Sequence, residues 1–229
     1  MGGSCRDAYR RVARRYDQLF GRLNAGLRRL CLKMFPPREG MDVLDVGCGT
    51  GLQLADYQQA RCQVSGIDAS PTMLAVARRR LGEKASLQLG DAGRLPYPDQ
   101  AFDLVLASTV LHEMSPAARA ATLGQMRRVL RPGGRVLLTD FEAGPVRPGR
   151  GWITKGIITA SEAAAGRTHR RNYRHFIAHG GLPPLLNAHG FSVDQRRIVS
   201  GGAIGLYLAL PHDQGGTSRP GTGRADATA

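Results

Sequence analysis

Apolar residues recur at helical spacing through the N-terminal segment. Tyr9, Val12, Ala13, Tyr16, Leu19, Phe20, Leu23, Leu27 and Leu30 fall mostly three or four apart and form one stripe. Gly21 and Gly26 mark a break near its end. After Pro36-Pro37 the rhythm changes to short apolar runs alternating with helical segments, which predicts repeated βαβ units around a mostly parallel sheet. The runs are MDVLDV from 41, CQVSGID from 62, ASLQLGDA from 85, FDLVLAS from 102 and GRVLLTDF from 134. Helices are predicted between them over 51–60, 70–81 and 115–130. Ser70 and Ser115 each precede a proline suited to a first helical turn, so each hydroxyl can accept from the first exposed amides. RPGG at 131 ends the third of these helices.

The alternation lapses over 142–185, where EAGPVRPGRGW leads into a basic helical stretch containing RTHRRNYRHF. A segment that follows the fifth strand emerges at the carboxyl end of the sheet, where ligands of such folds bind, and is placed to cap a crevice. LPPLLNAHG resumes as helix, and FSVDQRRIV with AIGLYLAL predicts an antiparallel pair at the sheet edge. From Pro211 onward Gly, Thr, Ser and Ala dominate, with too little apolar content to order the chain. Three regions are therefore expected. An N-terminal helical segment over 1–40 packs over the ligand site. A doubly wound, Rossmann-like α/β domain spans 41–210, with helices on both faces, a mostly parallel sheet, an antiparallel C-terminal edge strand and a cap insertion at about 142–185. A disordered tail covers 211–229.

Charge adds a question about partners. The formal net charge is +14 and the pI about 10.7, which draws phosphates, anionic lipid or acidic substrates toward the molecule. Lysine occurs only at Lys33, Lys84 and Lys155, so a compositional bias toward arginine accounts for the charge as well as a function does. Arg10, Arg11, Arg14 and Arg15 lie mostly opposite the N-terminal stripe. Such a helix can rest on anionic membrane, although packing on its own domain is the commoner use. Cys5, Cys31, Cys48 and Cys62 form no C-x-x-C pair and lack the density of a secreted disulfide scaffold, which points to a reducing compartment. No run approaches the ~18 apolar residues of a membrane span. The N-terminus lacks a signal-peptide layout, and MGGSCR carries Arg6 where a myristoylation site wants Ser or Thr. The expected location is cytoplasmic, with membrane association left open.

Candidate chemistry gathers at the strand ends. VLDVGCGTG puts Asp45, Gly47, Gly49 and Gly51 behind the first strand. Glycines there let the backbone turn sharply and let a ligand approach the main chain. The spacing is G-x-G-x-G rather than the dinucleotide G-x-G-x-x-G, and Asp45 would repel a pyrophosphate while suiting an ammonium group. Asp68, ending the second strand, can accept both hydroxyl hydrogens of a ribose. Asp91, in GDA at 90–92, can accept from an exocyclic amine such as that of adenine, and Met73 and Leu95 offer apolar surface to a purine. Ammonium, ribose and adenine without pyrophosphate describe S-adenosyl-L-methionine.

On these motifs the chain resembles the class I S-adenosylmethionine-dependent methyltransferases and is similar to their ubiquinone/menaquinone-biosynthesis and small-molecule group. VLDVGCGTG matches the first motif, GIDASPTML the acidic second strand with its helix, GDAGRLPYPDQAFDLVLAS the adenine loop and fourth strand, and MRRVLRPGGRVLLTDF the fifth. The match covers about 41–141 and weakens after Phe141, where acceptor choice would reside. The resemblance implies that Asp45, Gly47, Gly49 and Gly51 run along the methionine part and that Asp68 holds the ribose, and Ala69 and Met73 are further expected cofactor-binding residues. It implies that Asp91 and Ala92 border adenine, that Ser108 and Thr109 line the sulfonium side, and that Tyr16, in YRRVARRYDQLF, closes over the cofactor. The implied activity is methyl transfer by in-line displacement to a small-molecule or lipid-like acceptor, a quinone precursor or phospholipid head group among them. An RNA methyltransferase and a non-catalytic cofactor-binding scaffold are the alternatives.

Sulfonium is a good leaving group, so positioning and exclusion of water supply much of the acceleration. A general base is required only for a hydroxyl, ammonium or acidic-carbon nucleophile. His112, in STVLHEM beyond the fourth strand, is the candidate catalytic residue, with orientation of its loop as the competing role. Asp140, ending LLTD, and Tyr173, in the cap, are the candidate substrate residues, and Glu113 reads equally as solvated. His175 and His179 stand four apart with His169 close, but no Cys or carboxylate completes a ligand set, and no metal is expected. RTHRRNYRHF mixes cations with aromatics as nucleic-acid surfaces do, with a solvated cap helix and an anion pocket as rivals.

Overall fold

The apolar runs assemble into one sheet in a computed structural model that describes residues 25–212. β1 (Asp42–Val46), β2 (Gln63–Asp68), β3 (Ser86–Leu89), β4 (Phe102–Ser108) and β5 (Leu130–Phe141) are mutually parallel. β6 (Phe191–Val199) and β7 (Ile204–Pro211) complete the order β3-β2-β1-β4-β5-β7-β6, with β7 antiparallel to both neighbours. The helices are α1 (residues 25–34), α2 (Leu52–Gln59), α3 (Pro71–Leu81), α4 (Pro116–Val129), α5 (Arg150–Ala164), α6 (Arg167–Ala178) and α7 (Leu182–Ala188).

Strand side chains alternate between two cores. Leu44, Val46, Val105 and Ala107 join the face covered by α4, α6 and α7, whereas Val43, Leu104 and Leu106 join the face covered by α1, α2 and α3. Burial on both faces explains why these strands read as continuous apolar runs rather than alternating ones. The order reverses between β1 and β4, and the crevice at a reversal point is where such sheets bind ligands. The resemblance-based fold expectation therefore stands.

Local signals behave as their chemistry dictates. Ser70 Oγ accepts from Met73 N at 3.1 Å and Ser115 Oγ from Ala118 N at 3.2 Å, each with proline in the first turn. Two boundaries shift. The third strand pairs only as far as Leu89, because Asp91 turns back to accept from Gly93 N at 2.8 Å. β5 begins at Leu130, with RPGG inside it as an irregularity that moves the register between Phe102 and Leu104. Arg131 holds this extension in place through Asp42 (2.8 Å) and Asp103 (2.9 Å). The segment over 142–185, expected to act as a cap, holds α5, α6 and the start of α7. The N-terminal stripe before residue 25, with Tyr16 and Cys5, and the tail beyond 212 lie outside the described residues. Cys31, Cys48 and Cys62 are free thiols, and among the described residues no helix is long and apolar enough to cross a membrane.

Candidate active site

The turn after β1 is built by backbone geometry that only glycine tolerates at two points. Gly47 has φ +77°, and a Cβ there would sit 2.8 Å from Val110 Cγ2. Gly51, with φ +74°, caps α2, and its Cβ would meet Leu81 Cδ1 at 2.9 Å, so it serves the packing of α2 on α3. Gly49 differs: no atom lies within 4 Å of its Cβ position, and it borders an open cleft. Asp45, Gly47, Gly49, Ser108 and Thr109 all line that cleft, so it unites most of the methionine-side residues named from the sequence.

Asp45 dominates the cleft electrostatically. It is 3% exposed, and its Oδ1 has no hydrogen-bond partner among the described residues. Burial, reinforced by the charge of Asp68, pushes its carboxyl up to about 7. Gln53 Nε2 is a second buried polar atom on the same cleft without a partner. Arg28, held by Asp56 Oδ2 at 3.0 Å, lines it from α1. Cys31 lines it as a thiol, since burial pushes its titration up to about 11. A buried carboxylate lacking a partner is costly until a cation meets it. An α-amino acid end fits this donor set, its ammonium toward Asp45 and its carboxylate toward Arg28.

Asp68, the residue expected at a ribose, is also held in place. Asp68 Oδ2 accepts from Gly49 N and Oδ1 from Ser70 N, both at 2.8 Å, so the side chain is fixed between the first two strand ends. A carboxylate is an acceptor of the kind that ribose hydroxyls require. Ala69 next to it is exposed. Asp91 is exposed in its own turn and Ala92 packs against the edge of the core. Met73 and Leu95 are buried, at 3% and 4% exposure.

Beside the cleft lies a second cluster. Thr139 borders the cleft, and the next residue, Asp140, points to the opposite side of β5. Asp140 Oδ1 is 2.6 Å from His112 Nδ1, and its two oxygens also accept from the amides of His112 (3.2 Å) and Phe141 (2.8 Å). With Asp140 accepting, Nδ1 carries the proton and Nε2 is the basic nitrogen, a tautomer inferred from the network. The His112 ring centroid is 4.4 Å from Phe141, 5.7 Å from His169 and 6.1 Å from Tyr173. His112, Asp140 and Tyr173, named separately from the sequence, thus meet in one place. Glu113 Oε1 lies 3.9 Å from Nε2 of both His112 and His169. These three side chains form a group within 4.8 Å. Their 3.9 Å spacings exceed the ~3.4 Å edges of a tetrahedral zinc site with bonds near 2.1 Å. His175 and His179 stack on each other at 3.9 Å and take no part in this group.

Sequence reasoning missed what holds the cluster together. Arg119 is buried in α4 and donates to the carbonyls of Leu111 (2.8 Å), His112 (3.3 Å) and Asn172 (2.6 Å). Asn172 Nδ2 donates back to Glu113 O at 2.7 Å. The signal was present as an arginine on the same helical stripe as Thr122, Leu123 and Met126, all core positions.

Comparison with known proteins agrees with this geometry. A family model described as a methyltransferase domain matches residues 43–134. The chain is 34% identical over 211 residues to the demethylmenaquinone methyltransferase of Beutenbergia cavernae, covering 86% of this chain and 87% of that one. It is 33% identical over 221 residues to the ubiquinone/menaquinone biosynthesis C-methyltransferase UbiE of Bordetella avium, covering 88% and 85%. The fold is shared with the 1,6-didemethyltoxoflavin-N1-methyltransferase of Burkholderia thailandensis, solved with its substrate and S-adenosylhomocysteine bound. The TM-score is 0.59 at 22% identity, over 82% of this chain and 78% of that one. RNA methylation and a non-catalytic scaffold are not favoured by these relatives. The matching methyltransferase domain and kinship across most of the chain lead to one conclusion: the protein is an S-adenosylmethionine-dependent methyltransferase of the UbiE family.

Proposed function

We propose that this enzyme methylates a ring carbon of a quinone precursor, with His112 as general base. The acceptor class comes from the relatives, one a demethylmenaquinone methyltransferase and one a C-methyltransferase of ubiquinone and menaquinone biosynthesis. The observation that carries the chemistry is the buried His112–Asp140 pair set between the rings of Phe141 and Tyr173. S-adenosylmethionine, when bound, supplies a methyl group already activated on a sulfonium.

On the donor side, Asp45 receives the ammonium, Arg28 the carboxylate and Asp68 the ribose hydroxyls. Gly47, Gly49 and Gly51 shape the loop, Asp91 and Ala92 border the adenine, and Ser108 and Thr109 flank the sulfonium. On the acceptor side, Phe141 and Tyr173 offer apolar ring faces that position a flat substrate and exclude water. Asp140 keeps Nδ1 of His112 protonated, so Nε2 takes the proton that the acceptor loses as its new C–C bond forms, while the electron pair of the broken C–S bond stays on sulfur. The resulting imidazolium is stabilised by Asp140 and by Glu113 at 3.9 Å.

Incubation with S-adenosylmethionine and reduced demethylmenaquinone in micelles should give a product heavier by one methylene and an equal amount of S-adenosylhomocysteine. His112→Gln should lower kcat by about 10²–10⁴ without changing S-adenosylhomocysteine affinity. Intact cofactor binding with no methylated quinone would remove the acceptor assignment, and an unchanged kcat in the variant would remove the base.

A further inference from the structure

The two cap helices, which pack against each other, expose two unlike surfaces. α5 buries Gly151 and Ile158 but leaves Trp152, Ile153 and Ile157 exposed at 65%, 66% and 61%, the three most exposed large hydrophobics of the described residues. At about 100° per residue they share one arc with Gly156 and Ala160. α6 buries Asn172, Tyr173 and Phe176 and exposes Arg167, Arg170, Arg171 and Arg174, a 3-1-3 spacing that puts all four guanidinium groups in one stripe. Residues 143–178 carry seven basic side chains and one acidic.

We propose that the α5–α6 cap docks on anionic lipid bilayers. Trp152, Ile153 and Ile157 enter the boundary between head groups and acyl chains, and the α6 arginines meet the lipid phosphates. Charge selects this occupant over the others. A second copy of the chain brings its own +14. The chain's residues 1–24 bring six arginines against two aspartates, so either would meet the stripe with like charge. An RNA would satisfy the arginines but leave the apolar arc of α5 in water. The proposal deepens the quinone assignment, because Tyr173, on the inner side of α6, faces His112, and one helix thereby links a lipid surface to the acceptor pocket.

Trp152 is the chain's sole tryptophan, so its emission reports this face alone. The full chain is mixed with vesicles of phosphatidylcholine, alone or with one third phosphatidylglycerol, and binding is read by co-sedimentation and by Trp152 emission. Phosphatidylglycerol should tighten binding about tenfold or more, with a blue shift of the emission and weakening by added salt. The triple variant W152S/I153S/I157S and, separately, R170E/R171E/R174E should each lower sedimentation at least about tenfold while calorimetric affinity for S-adenosylhomocysteine stays unchanged. Vesicle binding that neither variant reduces, no emission shift, or a blue-shifted Trp152 in a lipid-free dimer would overturn the proposal. So would RNA binding that the α6 variant abolishes in the absence of any vesicle binding. Because no acceptor is present, failure here leaves the quinone assignment to its own test.

Discussion

Asp45 ties stability to cofactor binding through one proton. Its carboxyl titrates near 7 in the folded chain, against ~3.9 unfolded. The folded state therefore holds the proton more tightly, and the stability of ligand-free protein falls as pH rises from about 4 to about 7, then levels. The full effect is on the order of 4 kcal/mol. An ammonium ligand wants the opposite, the carboxylate form. S-adenosylhomocysteine affinity should rise by up to about tenfold per pH unit between pH 5.5 and 7 and then flatten. Asp45→Asn should bind weakly at every pH, lose that slope and melt higher than the parent at pH 8; calorimetry and thermal melts over this range check it, and a flat parent profile would refute it. Much of this site was legible: the acidic residue before alternating glycines and the acid ending β2 identify a ligand by its charge groups. What the strand pattern could not say is which helix covers Asp140. Period-two alternation places it opposite Thr139, but only the packing of α6 brings Tyr173 and His169 to His112.

α6 is held to the turn at Leu111–Glu113 by hydrogen bonds as well as apolar contact. Arg119→Met would keep most of the volume but strip donors from three carbonyls, at a cost of about 3 kcal/mol. Faster amide exchange is expected in residues 167–178 and 111–113, with β1 and β4 unaffected. kcat should fall while S-adenosylhomocysteine affinity holds, and Arg119→Lys should recover only part of the loss because an ammonium cannot match the planar fork. Uniform acceleration of exchange across the sheet would mean that Arg119 supports the whole domain instead. Helices of this molecule were readable where the signal was local, as in the Ser-Pro starts of α3 and α4. The start of β5 was not. Val129 does end α4 ahead of RPGG, but that tetrapeptide stays extended because Arg131 reaches Asp42, about ninety residues earlier in the chain, and no local propensity encodes such a pair.

As a whole, the molecule couples a sheet whose central strands are buried on both faces to a cleft lined by the buried polar groups of Asp45 and Gln53. S-adenosylhomocysteine at a hundredfold excess over its Kd should add about 2.7 kcal/mol of stability. For a chain of this size that raises Tm by roughly 5–10 °C, readable by scanning fluorimetry, and no shift at millimolar ligand would contradict the cleft assignment. The layered α/β architecture follows from the succession of apolar runs, and the antiparallel pair from its position after the cap. The seating of β7 between β5 and β6 depends on which strand edge remained open and could not be read from the runs themselves. That seating orders events during synthesis. Until residues 204–211 leave the ribosome, β5 presents a bare hydrogen-bonding edge and β6 has no partner strand. The nascent enzyme thus stays adhesive until residues 204–211 are made and paired, and a chaperone or a neighbouring chain competes for that edge in the interval.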